Sequence, residues 1–153
     1  MKKLYVLIGY PASGKSTKAK ELLADGVVLV SRDSIRKQML QGSKQYFSKE
    51  KAVYKSFSGQ IQEALDGGKS VVADATHING ASRSKLLSSL KLDGVEIIGV
   101  YMKTPFDVCI ERNLKRTGFE RVPEEAMESM RRWATEPSLM EGFDKIIVIG
   151  GGK

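Results

Sequence analysis

Five short apolar runs punctuate the chain, at 4–8, 27–30, 70–73, 96–102 and 145–149. They are rich in Val and Ile and alternate little, the pattern of strands covered on both faces of a parallel sheet. Helical spacing fills the intervals, so the order predicts repeated βα units with right-handed crossovers. The first helix is expected over 14–24, with Gly26 just past its end. Another is expected over 49–66, where Val53, Phe57, Ile61 and Leu65 recur every four residues and Gly67-Gly68 stops the stripe. Thr104-Pro105 reads as a hydroxyl N-cap followed by a first-turn proline, with Phe106, Cys109, Ile110 and Leu114 facing inward. Pro123 opens a last helix, whose acids Glu124 and Glu125 come first and whose Arg131 and Arg132 come last, as the helix dipole favours. Met127, Met130 and Trp133 share one face of it and read as packing residues. The predicted class is α/β, a roughly five-stranded parallel sheet sandwiched by helices, in a single domain over 1–153.

Composition fits one globular domain: 153 residues, 41% hydrophobic and 28% charged. Net charge is +7, which suits a polyanionic or phosphorylated partner but equally serves solubility. The lone Cys109 cannot form an intrachain disulfide, consistent with a reducing, cytoplasmic compartment. No apolar run approaches the roughly 20 residues of a membrane span. The opening Met1-Lys2-Lys3 imitates a signal peptide, but its apolar stretch is too short and no small-residue cleavage site follows.

Gly9-Tyr10-Pro11-Ala12-Ser13-Gly14-Lys15-Ser16 fits G-x-x-x-x-G-K-[ST], between an apolar strand and an amphipathic helix. Glycines let backbone N–H groups close around phosphate oxygens, and the helix directs its positive end at the same anion. Gly9, Ala12, Ser13, Gly14, Lys15, Ser16 and Thr17 are therefore candidate nucleotide-binding residues. Lys15 would reach the β- and γ-phosphates, and the Ser16 hydroxyl would join a Mg²⁺ shell. No N-K-x-D segment of the guanine-reading type is present. A small basic chain with this loop near residue ten reads most simply as an ATP-dependent kinase.

Val71-Val72-Ala73-Asp74 is a hydrophobic strand ending in a carboxylate, a candidate for metal and substrate contact. Ser31-Arg32-Asp33-Ser34-Ile35-Arg36 follows the second strand, where open α/β sheets bind ligands. Asp33 is the candidate general base, with N-capping of the helix that follows as the alternative role, and the two can coexist. Arg36, one turn on, can meet a substrate phosphate or lie solvated. Arg112 and Arg116 present two guanidinium groups on one helix face, with Gly118, Phe119, Glu120 and Arg121 behind. They read as a lid, Arg112 serving the nucleotide and Arg116 the phosphoryl group in transit, or as a solvated face. His77 suits loop packing better than metal binding, while Asn79 and Arg83 could reach substrate.

Together, the Gly9–Thr17 run, Ser-Arg-Asp-Ser-Ile-Arg, Val-Val-Ala-Asp-Ala-Thr-His, Arg-Asn-Leu-Lys-Arg and Arg-Val-Pro resemble the kinase domain of bacteriophage polynucleotide 5′-hydroxyl kinases. The resemblance covers nearly the whole chain. It implies a P-loop kinase fold with ATP and Mg²⁺, Asp33 as general base and Arg36 on the acceptor's phosphate. It also implies Lys15 and Arg116 on the transferred phosphoryl, and Asp74 organising acceptor or metal. Ala12 departs from a common glycine, and His77 from a common asparagine. No D-x-D-G-T phosphatase motif is present, so a 3′-phosphatase activity is not expected.

The expected partner is single-stranded or duplex nucleic acid bearing a 5′-hydroxyl. The run Arg32, Arg36, Lys37, Lys44, Lys49, Lys51 and Lys55 would track its phosphates, and Tyr46, Phe47 and Tyr54 could stack its bases. The alternatives keep the loop and change the rest: a hydroxymethylated DNA base, a metabolite alcohol or a nucleotide sugar as acceptor, or a nucleotide-dependent switch.

Overall fold

A computed structural model describes residues 2–24, 26–40 and 49–150. Among them the order is β1 (Lys2–Ile8), α1 (Lys15–Leu22), β2 (Val27–Ser31), α2 (Arg32–Leu40), α3 (Glu50–Asp66), β3 (Ser70–Asp74), α4 (Gly80–Ser88), β4 (Val95–Met102), α5 (Phe106–Leu114), α6 (Glu124–Trp133) and β5 (Lys145–Ile149). Short 3₁₀ turns lie at Gly118–Glu120 and Leu139–Glu141. The strands form one parallel sheet in the order β2-β3-β1-β4-β5. No helix among the described residues is long and apolar enough to cross a membrane.

β1 lies at the centre, and its neighbouring residues serve opposite faces. Leu4, Val6 and Ile8 pack with the α3 stripe Val53, Phe57, Ile61 and Leu65, and with Leu86 of α4. Leu7 packs with Val72, Val100, Met102 and Ala19 of α1 on the other side. Both faces are covered, which explains the near-continuous apolar runs. Phe57 is wholly buried, and its truncation to Ala would cost about 3–5 kcal/mol.

Register then gathers the strand ends. Ser31 of β2 pairs with Asp74 of β3, so the first turn of α2 starts beside the Asp74 carboxylate. The Ser31 hydroxyl accepts from Ser34 N at 3.2 Å. It, not Asp33, caps α2; Asp33 is the second helical residue, which corrects the capping alternative.

α5 also differs from expectation. Pro105 is extended and occupies the N-cap, and the Thr104 side chain makes no cap bond. Leu114 is exposed, and Asn113 takes its inward place. Along α6, Met127 is buried as expected, but Trp133 is 66% exposed. α1 closes at Leu22, short of the expected end, because Leu23 turns extended.

Candidate active site

The loop after β1 is shaped by its backbone. Gly9 N–H donates to Thr76 O at 2.9 Å, locking the loop to the segment after β3. A Cβ on Gly9 would lie 2.7 Å from Ser13 Oγ and 3.0 Å from Met102 Cβ, so no side chain fits. Gly14 caps α1 at φ 102°, a left-handed conformation that glycine adopts without penalty. Ala12 holds φ 65°, which accounts for the usual preference for glycine there and costs roughly 1–2 kcal/mol. Beyond Gly14, the first-turn N–H groups of α1 have no intrahelical acceptor and face the same space.

Two side chains brace this loop from outside it. Thr104 Oγ1 donates to Ser13 O at 2.7 Å, and Arg112 Nη1 donates to Ala12 O at 3.3 Å. Lys15 is buried and its Nζ donates to Tyr10 O at 2.8 Å. Burial pulls the Lys15 ammonium below its ordinary pKa, and the nearby Asp74 and Asp33 charges oppose that pull. Burial pushes the Asp74 carboxyl up, with Lys15 opposing and Asp33 reinforcing.

A recess of about 500 Å³ opens over the loop. Ala12, Gly14, Lys15, Ser16 and Thr17 form its floor, and Asp33, Asp74, Arg112 and Arg116 its walls. A second recess of about 150 Å³ adjoins it, lined by Arg32, Arg36, Glu50, Thr76, Val122 and Met130 among others. The two share Pro11, Lys15, Asp33 and Asp74.

The first recess suits a nucleoside triphosphate with Mg²⁺. Its floor excludes side-chain bulk where phosphate oxygens approach. Ser16 and Asp74 both line it and offer the hard oxygen donors Mg²⁺ takes, which leaves room for phosphate oxygens and waters.

Other expected residues lie elsewhere or are otherwise engaged. The Gly9 N–H is bonded to Thr76, and Ser13 is buried beneath the loop, so both shape the cradle without lining the recess. Asn79, expected to touch substrate, is the N-cap of α4: its Oδ1 accepts from Ser82 N at 2.8 Å, and it lines neither recess. Arg83 is wholly buried, donating to both Glu141 oxygens at 2.7 and 3.0 Å and to His77 O at 2.9 Å. It is a structural brace, not a substrate contact. His77 is buried at φ 43°, with Nδ1 2.7 Å from Leu7 O. Burial lowers its pKa to about 4, so the ring is neutral and Nδ1–H donates.

The expected basic track is partly neutralised. Arg36 donates to Glu50 through Nε at 2.7 Å and Nη2 at 2.8 Å, and also pairs with Asp33; Arg32 reaches Glu50 at 3.1 Å. The Tyr54 ring already carries Lys85 Nζ at 4.1 Å and the Arg32 guanidinium at 5.3 Å. Lys44, Tyr46 and Phe47 lie outside the described residues. Arg121 pairs with Glu124 at 3.7 Å and does not line the recess.

Three contributors escape sequence reading. Glu50 stands as one acid in a basic run, and that isolation was its only signal. Thr104 braces the loop as described. Asn113 is wholly buried and clamps Val122, donating Nδ2 to Val122 O at 2.8 Å and accepting Val122 N at 2.9 Å. That clamp fixes the return of the chain from the arginine-bearing segment to α6.

Comparison with known proteins agrees with this layout. A family profile described as an AAA domain matches residues 4–137. An L-seryl-tRNA(Sec) kinase from Methanococcus maripaludis is 27% identical over 148 residues, covering 92% of this chain and 56% of that protein. A chain in the structure of the Pnkp1/Rnl/Hen1 RNA repair complex superposes with TM-score 0.72 and 27% identity, over 86% of this chain and 43% of that one. A sugar kinase from Janibacter superposes with TM-score 0.65 and 19% identity, over 97% of this chain and 85% of that one. The chain thus spans about half the length of the first two relatives. Its parallel five-stranded sheet, glycine-built anion cradle and profile match place the chain in the AAA domain family, with the P-loop kinase fold.

Proposed function

We propose that residues 1–153 form one ATP-dependent phosphotransferase domain of the bacteriophage polynucleotide kinase type, acting on the 5′-hydroxyl of DNA or RNA in the cytoplasm. The observation that carries this reading is the shared wall. Lys15, Asp33 and Asp74 border both recesses, so a donor phosphate in the larger and a hydroxyl in the smaller would meet there.

In this reading the first turn of α1, Lys15 and Arg112 grip the triphosphate. Ser16 and Asp74 would hold Mg²⁺, which supplies charge neutralisation at the phosphate oxygens. Asp33 takes the proton of the attacking hydroxyl and aligns its oxygen. A bond forms from that oxygen to the γ-phosphorus as the bond to the β-bridging oxygen breaks. Lys15 and Arg116 offset the charge on the phosphoryl in transit. Arg36 and Arg32 face the acceptor from the second recess.

One observation favours a second reading. Among the described residues the smaller recess balances Lys15, Arg32 and Arg36 against Asp33, Glu50 and Asp74, without the cation excess expected of a polyanion site. A small alcohol would suit that balance, and the name of the Methanococcus relative adds seryl-tRNA as a further acceptor to test. The test offers γ-labelled ATP with a 5′-hydroxyl oligonucleotide, a hydroxymethylated duplex, seryl-tRNA and a panel of metabolite alcohols. Label should enter the oligonucleotide terminus. Exclusive labelling of another arm would replace that acceptor, and ATP binding without any transfer would make the protein a switch.

A further inference from the structure

We infer that Trp133 is a stacking platform for the acceptor strand, taking the base that follows the nucleotide seated in the second recess. This rests on the polynucleotide reading above. Met127, Met130 and Trp133 succeed one another at three-residue steps along one side of α6. Met127 is buried, Met130 lines the second recess, and Trp133 is 66% exposed. The face therefore climbs from core to recess wall to open surface. At about 1.5 Å of rise per residue, Trp133 lies about 4.5 Å further along the helix than Met130, on the next turn outward from the recess wall.

The cations at this end of α6 suit a strand that leaves the recess here. Arg131 and Arg132 precede Trp133 and both are exposed, Arg131 with its guanidinium 3.6 Å from Glu128. The Arg131 guanidinium lies 5.0 Å from the Phe106 ring, which holds it at this end of α6. Indole stacking is sequence-tolerant, because every base has a π face, and neighbouring cations meet the phosphates between bases. The platform also addresses the charge balance of the second recess. Affinity for a polymer would come from beyond the recess, and a lone nucleotide would not reach it.

Trp133 is the chain's single tryptophan, so its emission reports this position alone. The full chain is titrated with a 5′-hydroxyl oligothymidylate of about eight nucleotides, and separately with thymidine 3′-monophosphate. The oligomer should quench emission by roughly half or more, and the mononucleotide much less. Trp133→Ala should raise the KM for the oligomer about tenfold more than that for the mononucleotide, and Trp133→Phe should restore most of the loss. Phosphorylation of the oligomer with emission unmoved and the KM ratio unchanged would overturn the platform and leave the parent reading standing. Quenching without phosphorylation would remove the 5′-hydroxyl reading and keep a strand-binding surface. Neither quenching nor phosphorylation would end both. Emission that changes with protein concentration alone would give the surface to a second copy of the chain, and would also overturn the platform.

Discussion

The two recesses are built from different materials. The floor of the larger is mostly backbone, beneath its side-chain walls: a glycine turn, the N-terminus of α1, and a loop tied to Thr76 O by one N–H. The smaller is mostly side chains, with Arg32, Arg36 and Glu50 from α2 and α3, Val122 ahead of α6 and Met130 within it. Backbone donors are preorganised by folding itself and carry no rotamer entropy. Charged side chains must be held in place by one another, as Glu50 holds Arg36. The division fits the proposed roles, because triphosphates are alike across donors whereas acceptors differ. The donor half should therefore tolerate single side-chain losses that the acceptor half does not, except at the residues common to both.

The largest effects are expected at that common wall. Asp33→Asn keeps the size of the side chain and removes its basicity. Transfer should fall about 10²–10⁴-fold with nucleotide affinity within severalfold of wild type. Lys15→Ala removes a cation from both recesses and should damage transfer to a similar degree while also weakening nucleotide binding. Single-turnover transfer and equilibrium nucleotide titration separate the two. Near-normal turnover in Asp33→Asn would leave Asp33 without a chemical role and dissolve the boundary between the halves.

The same division explains what could be read from the sequence. The loop that floors the larger recess was legible because its determinants are contiguous and match the pattern G-x-x-x-x-G-K-[ST]. That Asp33 and Asp74 would lie beside this loop was legible because both sit at the carboxyl ends of neighbouring parallel strands, Asp74 as the last residue of β3 and Asp33 just after β2. Asn113 was not. The inward face of α5 runs Phe106, Cys109, Ile110, Asn113, and its last member is polar, so apolar periodicity selected the exposed Leu114. Thr104 was misassigned because a hydroxyl before a proline has the signature of an N-cap, whereas the chain uses it on a carbonyl 91 residues away. Glu50 could not be paired with Arg36 from sequence, because two helices had first to be packed. Asn79, three residues before Ser82, has the signature of an N-cap, and the chain uses it as one.

A second effect concerns the join between the halves. His77 hangs the segment after β3 from Leu7 O of β1, and Arg83 holds the His77 carbonyl in turn. Its pKa is about 4 in the folded chain against 6.5 ordinarily. The unfolded chain therefore binds the extra proton first. The contribution is fully present above pH 6.5 and is lost as pH falls towards 4, by about 3 kcal/mol. Asp74, with its raised pKa, works in the opposite direction, because its contribution is lost as pH rises. His77→Asn should remove the histidine's share alone, since asparagine tolerates a left-handed φ. Urea midpoints at pH 4.5 and 7 should differ clearly less in the variant than in wild type. An equal difference would mean that the imidazole titrates normally and is not the buried link.

The smallest effect is the sharpest test of the contrast. Thr104→Val keeps the shape of the side chain and deletes the one hydroxyl that braces the loop at Ser13 O. The loop retains the Gly9 to Thr76 bond, the Ser13 to Tyr10 turn at 3.2 Å and the Arg112 contact at Ala12. Loss of a single hydrogen bond should cost about 0.5–1.5 kcal/mol, or roughly two- to tenfold in nucleotide affinity if all of it reaches the bound state. The acceptor's KM should stay within twofold, because Thr104 lines neither recess. Calorimetric nucleotide titration and acceptor kinetics measure the two sides separately. A loss well beyond tenfold, or one felt equally by the acceptor, would show that the cradle depends on its side-chain braces as the acceptor recess does. The distinction between a backbone half and a side-chain half would then fail.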